Sequence, residues 1–135
     1  MIMRQLQIVS KSNKYQHMNK IYYIASCDTC RKIIKSLPKG NDLVFRDIKQ
    51  DPLTAEELEE MYQLSGSYEA LFSKKAQLYK SMNLKDKSLT EEDYKNYILE
   101  HYTFLSRPVF VIENGVYVGG TQQNMLQVMK ALANV

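Results

Sequence analysis

Two cysteines three residues apart, Cys27 and Cys30, are the residues of this sequence best suited to do chemistry. They are the only cysteines among its 135 residues, and they closely follow the apolar run 21–24, which is typical of a buried strand. A thiolate in this position can attack a disulfide, and a second thiol within reach can resolve the mixed disulfide that results. The spacing therefore predicts a redox-active dithiol where a strand meets a helix.

The residues from the second cysteine onward have the apolar spacing of a helix with one buried face, since positions 30, 33, 34 and 37 are Cys, Ile, Ile and Leu. This pattern directs Cys30 inward and leaves Cys27 one turn earlier, at the exposed start of the helix. Free backbone N–H groups, the helix dipole and the nearby Arg31 would favour a thiolate there and lower the pKa of Cys27. Cβ atoms three residues apart on a helix lie about 5–6 Å from each other, so a disulfide needs only a small adjustment. We assign Cys27 as the attacking thiol and Cys30 as the resolving thiol.

Two other interpretations of the cysteine pair stay open. A pair of inert, buried cysteines would suit Cys30, which lies on the apolar stripe, better than Cys27. A zinc site needs two further ligands, and the two histidines, His17 and His101, lie far apart in the sequence without ligand spacing. We therefore expect no metal at the pair.

The composition predicts an ordinary soluble domain. The content of 44% hydrophobic and 24% charged residues suits one domain large enough to bury a core. The net charge of +3 is small and the lysines are dispersed, which predicts neither direct nucleic-acid binding nor membrane binding. Two cysteines in redox spacing, without an export signal, predict a cytoplasmic protein. We expect residues 1–17 to be a mobile extension and residues 18–135 to be a single domain.

The rest of the sequence predicts the strands and helices that would position the thiols. Two strands that flank the first helix would be parallel, and Asn114-Gly115 between apolar runs predicts a hairpin near the C terminus. The order is βαβ, a helical section and ββα, which makes a mixed sheet with helices on its faces. Strands are expected at 20–24, 43–45, 109–112 and 116–118, and helices at 28–37, from Thr54, at 77–84, from Thr90 and from Thr121.

This order, together with two short motifs, resembles the arsenate reductase (ArsC) family of thioredoxin-like proteins, whose relatives include the Spx transcription regulators and a YffB-like group. The motifs are Cys-Asp-Thr-Cys-Arg-Lys at 27–32 and Leu-Ser-Arg-Pro at 105–108, and residues 69–75 resemble a third family segment. The resemblance spans roughly residues 19–134. It implies a thioredoxin-like (glutaredoxin-like) α/β fold with a helical insert.

The resemblance also implies roles for individual residues. Cys27 matches the family's nucleophile, Arg107 the arginine beside it, and Pro108 the cis-proline that faces the active site. The guanidinium of Arg107 would stabilise the Cys27 anion and bind an oxyanion or a peptide carboxylate. The remaining residues expected in the wall of the site are Asp28, Thr29, Arg31 and Lys75.

Two departures from the family pattern shape the expected function. Arsenate reductases of this type use three arginines, and the second and third fall at Ser73 and Gly120, so two charge-assisted bonds of about 1.5–3 kcal/mol each are missing. Those reductases also keep one cysteine in the motif and use glutathione, whereas this chain has Cys30. We therefore expect a thiol-disulfide oxidoreductase without a bound cofactor, reduced by thioredoxin, glutaredoxin or glutathione, for which arsenate is a poor substrate.

An Spx-like regulator is the alternative that stays open. In that reading a Cys27–Cys30 disulfide is a switch that controls binding to RNA polymerase rather than to DNA. The positively charged pair that these regulators carry beside the proline is reduced here to Ser106-Arg107, which favours the oxidoreductase.

Overall fold

The computed structural model of the protein describes residues 18–134, and the extension predicted at residues 1–17 lies outside them. A four-stranded sheet in the order β2-β1-β3-β4 lies at its centre. β1 and β2 are parallel, whereas β3 is antiparallel to both β1 and β4. The predicted mixed sheet, with its parallel βαβ unit and C-terminal hairpin, is therefore confirmed. The strands are β1 (Lys20–Tyr23), β2 (Val44–Asp47), β3 (Val109–Ile112) and β4 (Gly115–Val118).

Five α-helices connect and cover these strands within residues 18–134. They are α1 (Asp28–Ser36), α2 (Ala55–Ser65), α3 (Gln77–Ser81), α4 (Glu91–Glu100) and α5 (Gln122–Ala133). Short 3-10 turns lie at Glu69–Leu71, Leu84–Asp86 and Tyr102–Phe104. None of these helices combines the length and the hydrophobicity that a membrane span requires.

Two of the elements with predicted bounds differ from the sequence prediction by more than one residue. The helix expected at 77–84 ends at Ser81, because Asn83 takes a left-handed conformation (φ 55°) that an α-helix cannot continue through. The second strand extends to Asp47, because Arg46 and Asp47 pair with Tyr22 and Tyr23 of β1. The charge of Arg46 is met by Glu57, whose carboxylate accepts hydrogen bonds of 2.6 and 2.9 Å from it.

Alternating side chains of the strands build a core on each face of the sheet. Ile21 and Phe110 face α1 and α5, where Ile33, Leu37, Val128 and Leu132 pack on them. Tyr22, Val109 and Val111 face α2 and α4, together with an aromatic group formed by Phe72, Tyr94 and Phe104. All four residues of β3 are buried, since both faces of the sheet are covered. α1 is thereby held by its apolar face against the sheet, which fixes the position of its N-terminus.

Capping boxes begin α2 and α4, the two helices that pack on the same face of the sheet as Tyr22. The predicted box at Thr54 and Glu57 is present, with hydrogen bonds of 3.1 and 2.9 Å, and Thr90 forms a second one with Asp93. In addition, the Glu91 carboxylate accepts hydrogen bonds from the N–H groups of Tyr68 (2.6 Å) and Glu69 (3.2 Å). The start of α4 therefore orients the chain that leads into residues 73–75.

Removing the cap of α4 should measurably destabilise the fold. Thr90→Ala deletes the hydroxyl that accepts from the Asp93 N–H at 3.1 Å, and the free energy of unfolding should fall by about 1 kcal/mol in urea denaturation. Ser88→Ala removes an exposed hydroxyl from the same loop, one that makes no hydrogen bond within residues 18–134, and should change stability by less than about 0.5 kcal/mol. Equal losses in the two variants would contradict a specific role for the cap.

Candidate active site

Cys27 is the N-cap residue of α1, as the apolar spacing predicted. Its backbone is extended (φ −84°, ψ 121°), and its carbonyl accepts the N–H of Arg31 at 3.0 Å. Its own N–H donates to the carbonyl of Ile24 at 3.0 Å, which connects the end of β1 to the helix. The half-buried sulfur consequently lies at the mouth of the helix, beside backbone N–H groups that have no partner within the helix.

Cys30 is the inward member of the pair. Its side chain is 0% exposed, whereas Cys27 is partly exposed, and both are free thiols in this structure. Only Cys27 can therefore meet a large substrate directly.

The two thiols have opposite pKa shifts. Partial burial raises the pKa of Cys27, but the N–H and the thiol of Cys30, together with the charge of Arg107, outweigh that effect and lower the pKa below its usual value. Burial raises the pKa of Cys30 to about 11, and the nearby Cys27 charge contributes to the increase. The site thus favours ionisation of Cys27 over ionisation of Cys30.

Arg107 stands beside Cys27 with part of its guanidinium unpartnered. Nη1 donates to the carbonyls of Thr103 (3.1 Å) and Leu105 (3.3 Å), whereas the buried Nε–H has no acceptor within residues 18–134. The Arg107-Pro108 peptide bond is cis, as the family resemblance implied. The carbonyl of the buried Pro108 accepts a hydrogen bond from the N–H of Gly119 at 2.8 Å. This bond connects the segment before β3 to the residue that follows β4.

A cleft of about 720 Å³ opens over Cys27. Four segments that are remote in sequence form it: the start of α1, residues 69–75, the segment before β3, and the junction of β4 with α5. It is lined by Cys27, Thr29, Glu69, Phe72, Ser73, Lys74, Lys75, Ser106, Arg107, Gly119, Gly120 and Thr121. Of the wall residues predicted from the sequence, Thr29 and Lys75 therefore lie in the cleft with Cys27 and Arg107, whereas Pro108, which was expected to face the site, is buried and does not line the cleft.

Backbone pairing fixes residues 69–75 against the arginine segment. Phe72 and Leu105 form an isolated antiparallel bridge. The Ser73 N–H donates to the carbonyl of Phe104 at 2.7 Å, and the Ser106 N–H donates to that of Leu71 at 2.8 Å. Lys74 and Lys75 are consequently held on the same side of the cleft as Arg107.

Asp28 and Arg31 do not lie where the sequence analysis expected them. They form an ion pair with each other across one turn of α1, and Arg31 also donates to the carbonyl of Ala25 at 3.5 Å. Both are exposed and neither lines the cleft, because their positions on α1 face solvent rather than residues 69–75. The charge that lowers the pKa of Cys27 is that of Arg107, not that of Arg31.

Gly120 brings the junction of β4 and α5 into contact with α1. A Cβ atom at this position would lie 2.5 Å from Ile33 Cδ1 and 3.2 Å from Thr29 Cγ2. Any side chain there requires the terminal methyl group of the buried Ile33 to move, so an arginine at position 120 needs this packing to adjust. The family pattern shows that the arginine is missing at this position, but not that the position packs against α1.

The cleft also contains polar residues that were not among the predicted site residues, including Glu69, Lys74 and Thr121. Lys74 Nζ lies 2.8 Å from Glu69 Oε2, which also accepts from the Tyr94 hydroxyl at 3.3 Å. Thr121 caps α5 by accepting the Asn124 N–H at 3.1 Å, so a second helix begins at the cleft. Thr121 was recognised in the sequence as a helix cap. Its position beside Cys27 was not, because that position depends on the β3–β4 hairpin, which brings the end of β4 to the cleft.

The described residues include no cluster of three or more His, Cys, Asp or Glu side chains that could hold a metal ion. His101 lies instead at the end of α4, where its Nδ1 is 2.8 Å from the Thr103 hydroxyl and its ring stacks on Tyr102.

Comparison with known proteins gives three findings. The model of the family described as the ArsC family matches residues 22–128, which include both cysteines and Arg107. The global transcriptional regulator Spx 1 of Bacillus cereus is 30% identical over 105 residues, which cover 76% of this chain and 79% of the regulator. Two solved structures share the fold over 98% of their own length.

The first of these structures is an ArsC-family-related protein from Bacteroides fragilis, with 28% identity, a TM-score of 0.71 and 82% of this chain covered. The second is an arsenate reductase from Vibrio cholerae, with 25% identity, a TM-score of 0.66 and 83% of this chain covered. Together these matches confirm the thioredoxin-like α/β architecture that the sequence predicted.

Replacing Arg107 should raise the pKa of Cys27, because it removes the positive charge that favours the thiolate. In Arg107→Gln, the alkylation rate of Cys27, resolved from that of Cys30 by mass spectrometry, should rise only at a higher pH than in the wild type. Arg31→Gln is the matched control, since it removes the same charge from a residue that is paired with Asp28. Equal shifts in the two variants would assign the lowered pKa to overall charge rather than to Arg107.

Proposed function

Since the chain belongs to the ArsC family, we propose that it is a thiol-disulfide oxidoreductase in which Cys27 attacks the substrate and Cys30 resolves the intermediate. The observation that carries the proposal is the pairing of two thiols with opposite pKa shifts at one helix N-terminus, in a cleft that also contains Arg107. Such an arrangement supplies a nucleophile and a resolving group within one turn of helix.

The first chemical step is attack by the Cys27 thiolate on one sulfur of a substrate disulfide. A bond forms between Cys27 and that sulfur while the substrate's own S–S bond breaks, and the leaving thiolate takes the electron pair and a proton from solvent. Cys30 then loses its proton and attacks the Cys27 sulfur, which releases the second substrate thiol. The protein has lost two electrons to the substrate and holds a Cys27–Cys30 disulfide.

The environment of Cys30 suits this order of events. As long as Cys27 is an anion, its charge helps to raise the pKa of Cys30 and keeps that thiol protonated. When Cys27 enters a mixed disulfide, its charge disappears and one cause of the raised pKa disappears with it. The resolving thiol therefore ionises more easily after the first step than before it.

Two electrons from a thiol donor close the cycle. We propose thioredoxin, glutaredoxin or glutathione as that donor, in the cytoplasm, and no bound cofactor or metal. Each of these donors would reduce the Cys27–Cys30 disulfide by the same kind of exchange, with a thiolate of the donor as the attacking group.

We propose that Arg107 binds an anionic group of the substrate in addition to stabilising Cys27. Two backbone carbonyls accept hydrogen bonds from Nη1 alone, so a bound anion would supply an acceptor for the part of the guanidinium that lines the cleft. Arsenate is a poor candidate for that anion. Ser73 and Gly120 cannot provide guanidinium groups, Lys74 is paired with Glu69, and Lys75 is a point charge without fork geometry.

Steady-state turnover tests the proposal. With a model peptide disulfide and each thiol donor in turn, the wild-type protein should reduce the peptide, and Cys27→Ser should not. Cys30→Ser should accumulate a mixed disulfide at Cys27, seen as an adduct in intact-mass measurements, because the resolving step is removed.

Absence of turnover with every donor would reject the oxidoreductase. Arsenate belongs in the same assay, where reduction should not exceed the Cys27→Ser background. Arsenate reduction as fast as that of the peptide would contradict the argument from the missing arginines.

The similarity to Spx 1 favours a second candidate. In it, the Cys27–Cys30 disulfide changes a surface that binds RNA polymerase, and the protein regulates transcription rather than turning over a substrate.

Affinity capture from a cell extract separates the two functions. With the tagged protein we expect no retention of RNA polymerase that depends on redox state. Retention under oxidising conditions that is lost on reduction, and lost in Cys30→Ser, would transfer the assignment to the regulator.

A further inference from the structure

A second cavity adjoins the cleft over Cys27. Its volume is about 330 Å³, and it is lined by Lys74, Tyr79, Lys80, Asn83 and Lys85. Lys74 also lines the cleft, so the two cavities are neighbours and lead from the thiol along residues 74–85. We call the cleft and this cavity together the cationic groove.

Positive charge is concentrated in the cationic groove. The five cationic side chains that line it are Arg107, Lys74, Lys75, Lys80 and Lys85, and the one carboxylate is Glu69. This balance of four positive charges exceeds the formal net charge of +3 of the whole 135-residue chain. The rest of the chain therefore carries a slightly negative net charge.

Most of these charges are available to a ligand. Glu69 is already engaged by Lys74 at 2.8 Å and by the Tyr94 hydroxyl. Lys75, Lys80 and Lys85 are exposed, and within residues 18–134 none of them forms an ion pair. Like charges gathered in a concave surface raise the local concentration of anions and the rate at which anionic partners arrive.

We propose that the cationic groove binds an acidic polypeptide segment whose disulfide is attacked by Cys27. The proposal deepens the proposed function and depends on it. Carboxylates of the segment would lie against Lys80 and Lys85 while its disulfide reaches the thiol, and the chain would pass from one cavity to the other at Lys74, which lines both.

The second cavity distinguishes a polypeptide from a small thiol. A small anionic disulfide such as that of glutathione could bind in the cleft beside Arg107 alone, and it would not need to contact Lys80 or Lys85. A nucleic acid matches the charge but carries no sulfur for Cys27 to attack. The combination of thiol and extended charge therefore favours an acidic protein substrate.

The test compares two synthetic peptide disulfides that share length and central cysteine, one flanked by Glu and Asp and the other by Gln and Asn. The measured quantity is the single-turnover rate at which Cys30→Ser forms a mixed disulfide with each peptide. Each rate is divided by the rate at which the amino acid cysteine, free in solution, reacts with the same peptide, which corrects for differences in intrinsic reactivity. At about 20 mM salt the acidic peptide should react roughly tenfold faster than the neutral one, and the advantage should shrink near 500 mM, where the Debye length falls to a few ångströms.

Charge-removing variants in the same background locate the effect. Lys80→Gln with Lys85→Gln should reduce the rate for the acidic peptide by about threefold or more, so that its advantage over the neutral peptide shrinks. The matched control is Lys39→Gln with Lys130→Gln, which makes the same change in net charge beyond the far end of α1 and near the far end of α5, on exposed lysines. This control should alter neither rate.

Three results would overturn the proposal. They are equal rates for the two peptides, equal effects of the two double variants, and a preference for glutathione disulfide over the acidic peptide that Lys80→Gln with Lys85→Gln does not change. Failure of Cys27 to react with either peptide would instead contradict the oxidoreductase itself, so the two failures are distinguishable.

Discussion

The packing of α1 against the sheet is the constraint on which the site depends. Ile33 and Leu37 bury one face of the helix and Cys30 lies on that same face, which places Cys27 at the mouth of the helix. Burial of each such aliphatic side chain contributes about 1.5–3 kcal/mol. The energy that holds the fold together therefore also keeps the thiol where backbone N–H groups and Arg107 favour its anion.

The other three walls of the cleft are positioned relative to α1 by contacts between distant parts of the chain. Gly120 lets the start of α5 touch α1, and the bridge between Phe72 and Leu105 sets residues 69–75 beside Arg107. The same arrangement limits the chemistry, since it provides one guanidinium and several lysines rather than three arginines. An extended, diffuse positive surface suits an anionic chain better than it suits a compact oxyanion.

Local patterns predicted the parts of this structure that depend on local physics. The apolar period placed Cys30 inside and Cys27 at the cap, and Asn114-Gly115 predicted the hairpin. The wall of the cleft was predicted less well, because contacts between remote segments decide it. Arg31 is near Cys27 in sequence but is paired with Asp28 on the solvent side.

The central claim is that Cys27 and Cys30 form a reversible redox couple, and its most direct test is a titration in glutathione redox buffers. Alkylation of the remaining thiols followed by intact-mass measurement gives the fraction of protein with each number of free cysteines. The account predicts that both thiols disappear together, with loss of two hydrogens, at a midpoint in the range of thioredoxin-like dithiols, roughly −270 to −120 mV. Two thiols that stay free throughout, or a glutathione adduct on Cys27 with Cys30 still free, would contradict it.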